Sequence, residues 1–200
     1  ANFDVDLVFA PEVEEVYPSG ATTTVDVGDV SQPLEGAARP GHFAGVATVV
    51  LKLLNMVAPD VVYFGQKDYQ QTLVVRQMVR DLDVPVDVRI CPTIRERDGL
   101  ALSSRNAYLT GQQRSQALAI SQSLQRAAEL VDSGQRDAEV ILKSMHAILD
   151  AKSLLRVQYA ALVDPETLAE VREVSGPTLA AIAAFVGQTR LSDNRILGVD

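Results

Sequence analysis

Phe64-Gly65-Gln66-Lys67-Asp68-Tyr69-Gln70-Gln71 is the stretch on which the reading of the chain turns. Val61-Val62-Tyr63-Phe64 leads into it and reads as a buried strand. Leu73, Val74, Gln77, Met78 and Leu82 follow at intervals of three and four, as on a helix. A strand, a glycine and a helix start meet where open α/β folds bind ligands. The first helical N–H groups lack partners and carry partial positive charge, which suits anions. Lys67 adds a full positive charge there, and Asp68 and Gln71 add a carboxylate and an amide one turn apart. The same pair has the spacing of a capping box, and Lys67 alone also reads as a solvated lysine. By itself the octapeptide admits both a ligand site and a plain helix start.

Downstream, the helix ends near Leu82-Asp83, and Val86–Ile90 reads as a second strand. That makes a βαβ unit, for which a right-handed crossover is expected. Cys91 at the strand's end reads as a small buried residue, since no histidine is placed to activate it. Upstream stands Glu35-Gly36-Ala37-Ala38-Arg39-Pro40-Gly41-His42-Phe43-Ala44-Gly45-Val46, a shaped loop running into a helix from Phe43 to Val57. Val46, Val49, Val50, Leu53, Leu54 and Val57 give this helix a wide apolar face. Arg39 is a candidate for gripping phosphate or carboxylate with its planar fork, or else pairs with Glu35. His42, beside a helix start, reads as a structural hydrogen-bonder. Nearer the N-terminus, Asp4–Ala10 and Thr22–Val27 read as strands, with a helical turn at Pro11–Glu15.

The polar run Thr93–Gly99 suggests a boundary, with residues 1–93 forming a Rossmann-like part with a parallel sheet and residues 94–200 a smaller α+β domain. In Leu100-Ala101-Leu102-Ser103-Ser104-Arg105-Asn106, hydroxyls, a guanidinium and an amide in succession suit phosphate oxygens, though the run also passes as an ordinary loop. Thr110 and Gln113 form a capping-box pair opening a helix to about Val131, closed by Gly134. A helix at Asp137–Leu149 places His146 on a solvated or half-buried face. Val157–Val163, Thr178–Val186 and Asn194–Val199 read as strands, expected to pair antiparallel, and Asp164–Leu168 as a turn with a helical start.

Composition narrows the class. Hydrophobic residues are 47% and charged residues 22%, which supports a core and argues against wholesale disorder. The net charge of −8 argues against a general nucleic-acid or membrane-surface binder. One cysteine and two separated histidines, His42 and His146, leave no disulfide and no structural zinc site, which fits a reducing cytoplasm. No apolar run reaches a membrane span of about 20 residues. The chain opens on Ala1 and meets a strand-like pattern at once, so a missing N-terminal portion is expected.

The loop from Glu35 to Val46, the stretch from Phe64 to Gln71, and Arg95…Asp98-Gly99-Leu100-Ala101-Leu102-Ser103-Ser104-Arg105-Asn106…Tyr108-Leu109, taken in order and spacing, resemble the pantothenate synthetase (pantoate–β-alanine ligase) family. The resemblance runs from about Val5 to the last strand and is weaker after Gln113. It implies a nucleotidyltransferase-type Rossmann domain with a smaller C-terminal domain, in a homodimer. The implied reaction activates pantoate with Mg2+ and ATP to pantoyl adenylate, releases pyrophosphate, and passes the acyl group to β-alanine.

It further implies that Lys67 binds ATP phosphates, that Gly65 lets the nucleotide approach the backbone, and that Asp68 binds the ribose or adjoining groups. Ile94, Leu102, Ser103, Ser104 and Arg105 complete the ATP site, with Ser103 and Arg105 holding phosphates during adenylation. Gln71 and Arg39 serve pantoate and β-alanine. No protein metal ligand and no enzyme nucleophile are implied. Leu102 stands where the family has methionine, and Gln66 where an acidic residue is usual. The family's His-x-Gly-His motif and second pantoate-binding glutamine have no counterpart, so about half of the active site is expected here, with no turnover by this chain alone. Two other readings are a non-catalytic module of the same fold and an adenylyl transferase for another acid. Gln71 and the Arg39 loop weigh against the latter.

Overall fold

The computed structural model describes residues 5–198. Asp4 and Val199, at the ends of two predicted strands, lie outside the described residues. The elements run α1 (Val13–Val16), α2 (Glu35–Ala38), α3 (His42–Val57), β1 (Val61–Gly65), α4 (Tyr69–Asp81), β2 (Asp87–Cys91), α5 (Gly111–Asp132), α6 (Ala138–Asp150), β3 (Leu155–Val163), β4 (Thr178–Val186) and β5 (Thr189–Leu197). This is an α/β arrangement with a parallel sheet and a separate antiparallel one, as expected.

β1 and β2 pair in parallel, from Val61 opposite Asp87 to Gly65 opposite Cys91. Val62, Phe64 and Val88 pack on α3 and α4 around Phe43, Ala47, Leu54, Val74, Val75 and Met78. Period-2 alternation turns Asp87, Arg89 and Cys91 to the opposite, open face. Cys91 is therefore exposed, not buried as the sequence suggested.

Two other expectations fail for a common reason. Residues 5–10 and 22–27 carry strand-like residues but are not strands. A strand needs a neighbour for its N–H and C=O groups, and propensity alone supplies none. Leu7 is 83% and Val8 75% exposed, with no sheet covering them among the described residues. The 22–27 segment is held instead by side chains: Val25 N–H donates to Thr48 Oγ1 at 2.8 Å, and Val25 and Val27 pack beside α3 and α4.

The second half forms as read, with changes at its edges. The Thr110–Gln113 capping box is present, with bonds of 2.9 and 3.2 Å in its two directions. β3, β4 and β5 form an antiparallel sheet with β4 in the centre. Asp164–Leu168 is the expected turn but starts no helix, because the Asp164 carboxylate takes the Glu166 and Thr167 N–H groups at 3.0 and 2.7 Å. β5 begins at Thr189, five positions before the predicted Asn194: pairing with β4 from Val186 opposite Thr189 extends it over a polar first half that shows no apolar alternation.

Both faces of β4 are covered. Ala180, Ile182, Ala184 and Val186 pack under α5 and α6. Leu179 and Ala181 meet Leu34, Tyr69 and Leu73 from the first half. The antiparallel sheet thus leans its second face on the start of α4, and the seam between them holds the polar concavity described below. Among the described residues no helix is long and apolar enough to cross a membrane.

Candidate active site

The seam opens into a cavity of about 200 Å³ lined by Glu35, Arg39, His42, Lys67, Asp68, Gln71, Arg105 and Tyr159, with Arg190, Ser192, Asp193 and Asn194 from β5. A smaller hollow beside it is lined by Lys67, Ser103, Arg105 and Asn106 among others. The fold therefore brings Lys67, Asp68, Gln71, Arg39 and Arg105 to one cavity and Ser103 to its annex. Gly65, Ile94, Leu102 and Ser104 line neither hollow. Ile94 and Leu102 face each other across a short hairpin, Leu102 N–H donating to Ile94 O at 2.9 Å, with the two residues 66% and 55% exposed.

Lys67 stands on a 3-10 turn, Gln66–Asp68, between β1 and α4. Its ammonium lies 3.2 Å from Asp68 Oδ1. The Lys67 side chain is 19% exposed and that of Asp68 56%. Asp68 occupies the cap position of α4 but its side chain caps nothing, so the capping-box reading of Asp68 and Gln71 fails. The first turn of α4 is instead tied down by buried Gln70. Its amide donates to Val30 O at 2.9 Å and Pro33 O at 2.8 Å, and accepts from Glu35 N–H at 3.0 Å.

That anchor fixes the loop bearing Glu35 and Arg39. Gly36 is needed here, since a Cβ at that position would run into the Ser31 carbonyl. Arg39 Nη1 lies 2.9 Å from His42 Nε2 and 4.0 Å from Glu35, so its partner is the histidine and the Glu35 pairing is marginal. A guanidinium only donates, so Nε2 accepts and the imidazole is neutral. Burial, then the Arg39 charge, hold the His42 pKa below the usual histidine value, consistent with that neutral ring.

Glu35 belongs to Arg190, which grips it with a fork of 2.7 and 2.9 Å, while Tyr159 O–H donates at 2.8 Å. Burial works to raise the Glu35 pKa, but the bonds from Arg190 and Tyr159 and the charges of Arg190 and Arg39 outweigh it and hold the carboxyl low. Burial, with Glu35 beside it, raises Tyr159.

The Arg105 arm follows a hairpin in which Arg95 bridges Ala101. Ser103 Oγ accepts from Arg105 N–H at 3.3 Å and caps the 3-10 turn Ser104–Tyr108. Asn106 braces the arm from behind, donating to Glu96 at 2.6 Å and Ala101 O at 3.0 Å. The arm is joined to β5 by the Arg95–Asp193 fork, at 2.7 and 3.1 Å.

Sequence reasoning missed Tyr159, Arg190, Ser192, Asp193 and Asn194, and met Glu35 only as a partner for Arg39. One signal was available: Arg190, Ser192 and Asn194 recur every second residue, which is one face of a strand. The carboxylates on the cavity do not build a metal cage. Glu35 and Asp193 are held by arginine forks and Asp68 faces Lys67. Among the described residues no three His, Cys, Asp or Glu gather as metal ligands.

Comparison with known proteins bears on this geometry. A family model for pantoate–β-alanine ligases matches residues 1–196. The pantothenate synthetase of Acidobacterium capsulatum is 52% identical over 194 residues, covering 97% of this chain, and the chain spans 65% of that relative's length. A crystal structure of pantothenate synthetase from Thermus thermophilus superposes with a TM-score of 0.92 at 46% identity, over 96% of this chain and 70% of that one. A pantoate–β-alanine ligase from Francisella tularensis, complexed with β,γ-ATP and β-alanine, matches at a TM-score of 0.71 and 30% identity, over 92% of this chain and 61% of that one. With nearly every residue matched by one family model and half of the aligned positions identical in a relative, the chain belongs to the pantoate–β-alanine ligase family.

Proposed function

We propose that the chain carries the phosphate-binding and acid-binding arms of an ATP-dependent ligase that joins pantoate to β-alanine. The observation carrying this reading is the convergence of Lys67, Arg105, Gln71 and Arg39 on one cavity. A pantoate carboxylate oxygen attacks the α-phosphorus of ATP, and pyrophosphate leaves with the electron pair of the broken P–O bond. The β-alanine amine then attacks the acyl carbonyl, AMP departs, and the amine proton passes to solvent. Both steps concentrate negative charge, so positioning and cationic stabilisation do most of the work.

Lys67 and Arg105 supply that charge from the two halves of the molecule, with the Ser103 hydroxyl as a further donor. Gly65 leaves room for the nucleotide, Asp68 takes the ribose, and Ile94, Leu102 and Ser104 border the nucleotide where the hairpin meets solvent. Gln71 and Arg39 orient the acid and the amino acid. The protein carboxylates do not fit a magnesium site of their own, so a divalent ion enters with the triphosphate and no step is assigned to it. The family resemblance supports a homodimer and a second, smaller domain; the polar run Thr93–Gly99 supports a boundary near Thr93, and the single cysteine a reducing cytoplasm.

Calorimetric titration of the whole protein and its Lys67→Ala variant with ATP tests the first half of this reading: saturable binding weakened by the substitution is expected, and binding unchanged by it would overturn the nucleotide assignment. Gln71→Ala tests the second half. In the whole protein it is expected to raise the pantoate KM by about tenfold, the scale of losing one or two hydrogen bonds, while ATP affinity stays within about twofold. A fall in ATP affinity with an unchanged pantoate KM would show that Gln71 serves the nucleotide instead.

A further inference from the structure

Successive strand residues point to opposite faces, so Arg190, Ser192 and Asn194 share the face of β5 that lines the cavity. Asn194 is buried, with 5% of its surface exposed. Its Nδ2 donates one hydrogen to Gln66 O at 3.0 Å and the other to Lys67 O at 2.8 Å. These carbonyls belong to the two peptide planes that flank the Lys67 Cα. Because each peptide unit is planar, only φ and ψ of Lys67 remain free between them. Fixing both planes fixes both torsions, and with them the direction in which the lysine side chain leaves the turn.

The amide cannot be reversed. Turned over, Oδ1 would face two carbonyl oxygens, neither of which donates. Oδ1 is buried and unpartnered among the described residues, so the donors hold this side chain in place. The strand beneath is also braced: Asn194 N–H donates to Asp193 Oδ1 at 2.8 Å, and Asp193 receives the Arg95 fork from the hairpin leading to Arg105.

We propose that Asn194 is a positioning residue for Lys67, setting the lysine's backbone torsions and hence its approach to the ligand. The inference rests on Lys67 being the phosphate-binding arm. Two measurements test it. Amide hydrogen exchange across residues 64–71 is compared between the chain and Asn194→Ala without nucleotide. ATP affinity is titrated for the whole protein, Asn194→Ala, Lys67→Ala and the double variant.

Exchange is expected to quicken across the Lys67 turn in Asn194→Ala, with ATP affinity falling about tenfold, the scale of one or two lost hydrogen bonds. In the Lys67→Ala background the same change is expected to cost nothing further. Unchanged exchange would overturn the proposal. So would a tenfold loss that persists without Lys67, since Asn194 would then act by another route. If the unaltered whole protein fails to bind ATP, the functional reading falls, and the exchange comparison still decides whether Asn194 holds the turn. Should Asn194→Ala fail to fold, Asn194→Ser replaces it, its hydroxyl being unable to bridge both carbonyls.

Discussion

Lys67→Ala is expected to lower ATP-dependent pyrophosphate release by the whole protein by about two to three orders of magnitude, the scale of removing one preorganised electrostatic contact from a transition state. The geometry explains the size. Lys67 is largely shielded, its side chain being 19% exposed, so its charge acts through less water than a surface lysine's. It stands on the turn before α4, where the free N–H groups add to its field. Its only ion-pair partner among the described residues, Asp68, is itself exposed and competes weakly. Lys67→Arg should retain more activity than alanine but not all of it, because a fork delivers its charge in a different geometry. Melting temperatures should stay close to that of the unaltered protein. A loss of less than about tenfold in the alanine variant would remove Lys67 from its assigned role.

Glu35→Ala is expected to destabilise the protein by about 3 kcal/mol at neutral pH, because it strands a shielded guanidinium. The Glu35 and Arg190 side chains are 16% and 15% exposed, and Tyr159 would lose its acceptor as well. Urea midpoints measure the loss. Adding Arg190→Leu should recover part of it, since removing both charges leaves none unpaired. The pH dependence follows from the low Glu35 pKa. The unfolded chain binds this proton near the ordinary value of 4.5, and the folded chain only below it. The stabilisation is therefore fully present above about 4.5 and fades as pH falls through the lowered value. Glu35→Gln should flatten that acid limb. An unchanged acid limb would mean that the pair contributes nothing to the folded state's proton balance.

What was legible in the sequence was what is local. The β1 to β2 unit, the capped start of α5 and the full length of β4 follow from periodicity and caps within a few residues. The unpaired segments 5–10 and 22–27 were misread because pairing is a property of the neighbour, and the start of β5 because its polar face serves the cavity. The resemblance placed Arg39, Lys67, Gln71 and Arg105 together, which composition and spacing could not. Glu35, Tyr159 and Arg190 stayed hidden because they meet across 124 and 155 positions of chain. No local pattern encodes a partner that distant.

The latch between Asn194 and the Lys67 carbonyl has a consequence for biogenesis. Its two ends lie 127 positions apart. Translation adds about 5–20 residues each second, so the Lys67 turn leaves the ribosome on the order of ten seconds before its restraint exists. Through that interval the parallel strands and α4 can pack, but the two Asn194 bonds to the Lys67 turn are not yet made. The full set of restraints on the Lys67 turn is thus among the last features to mature, and a nascent chain stalled before Asn194 would carry the motif without them.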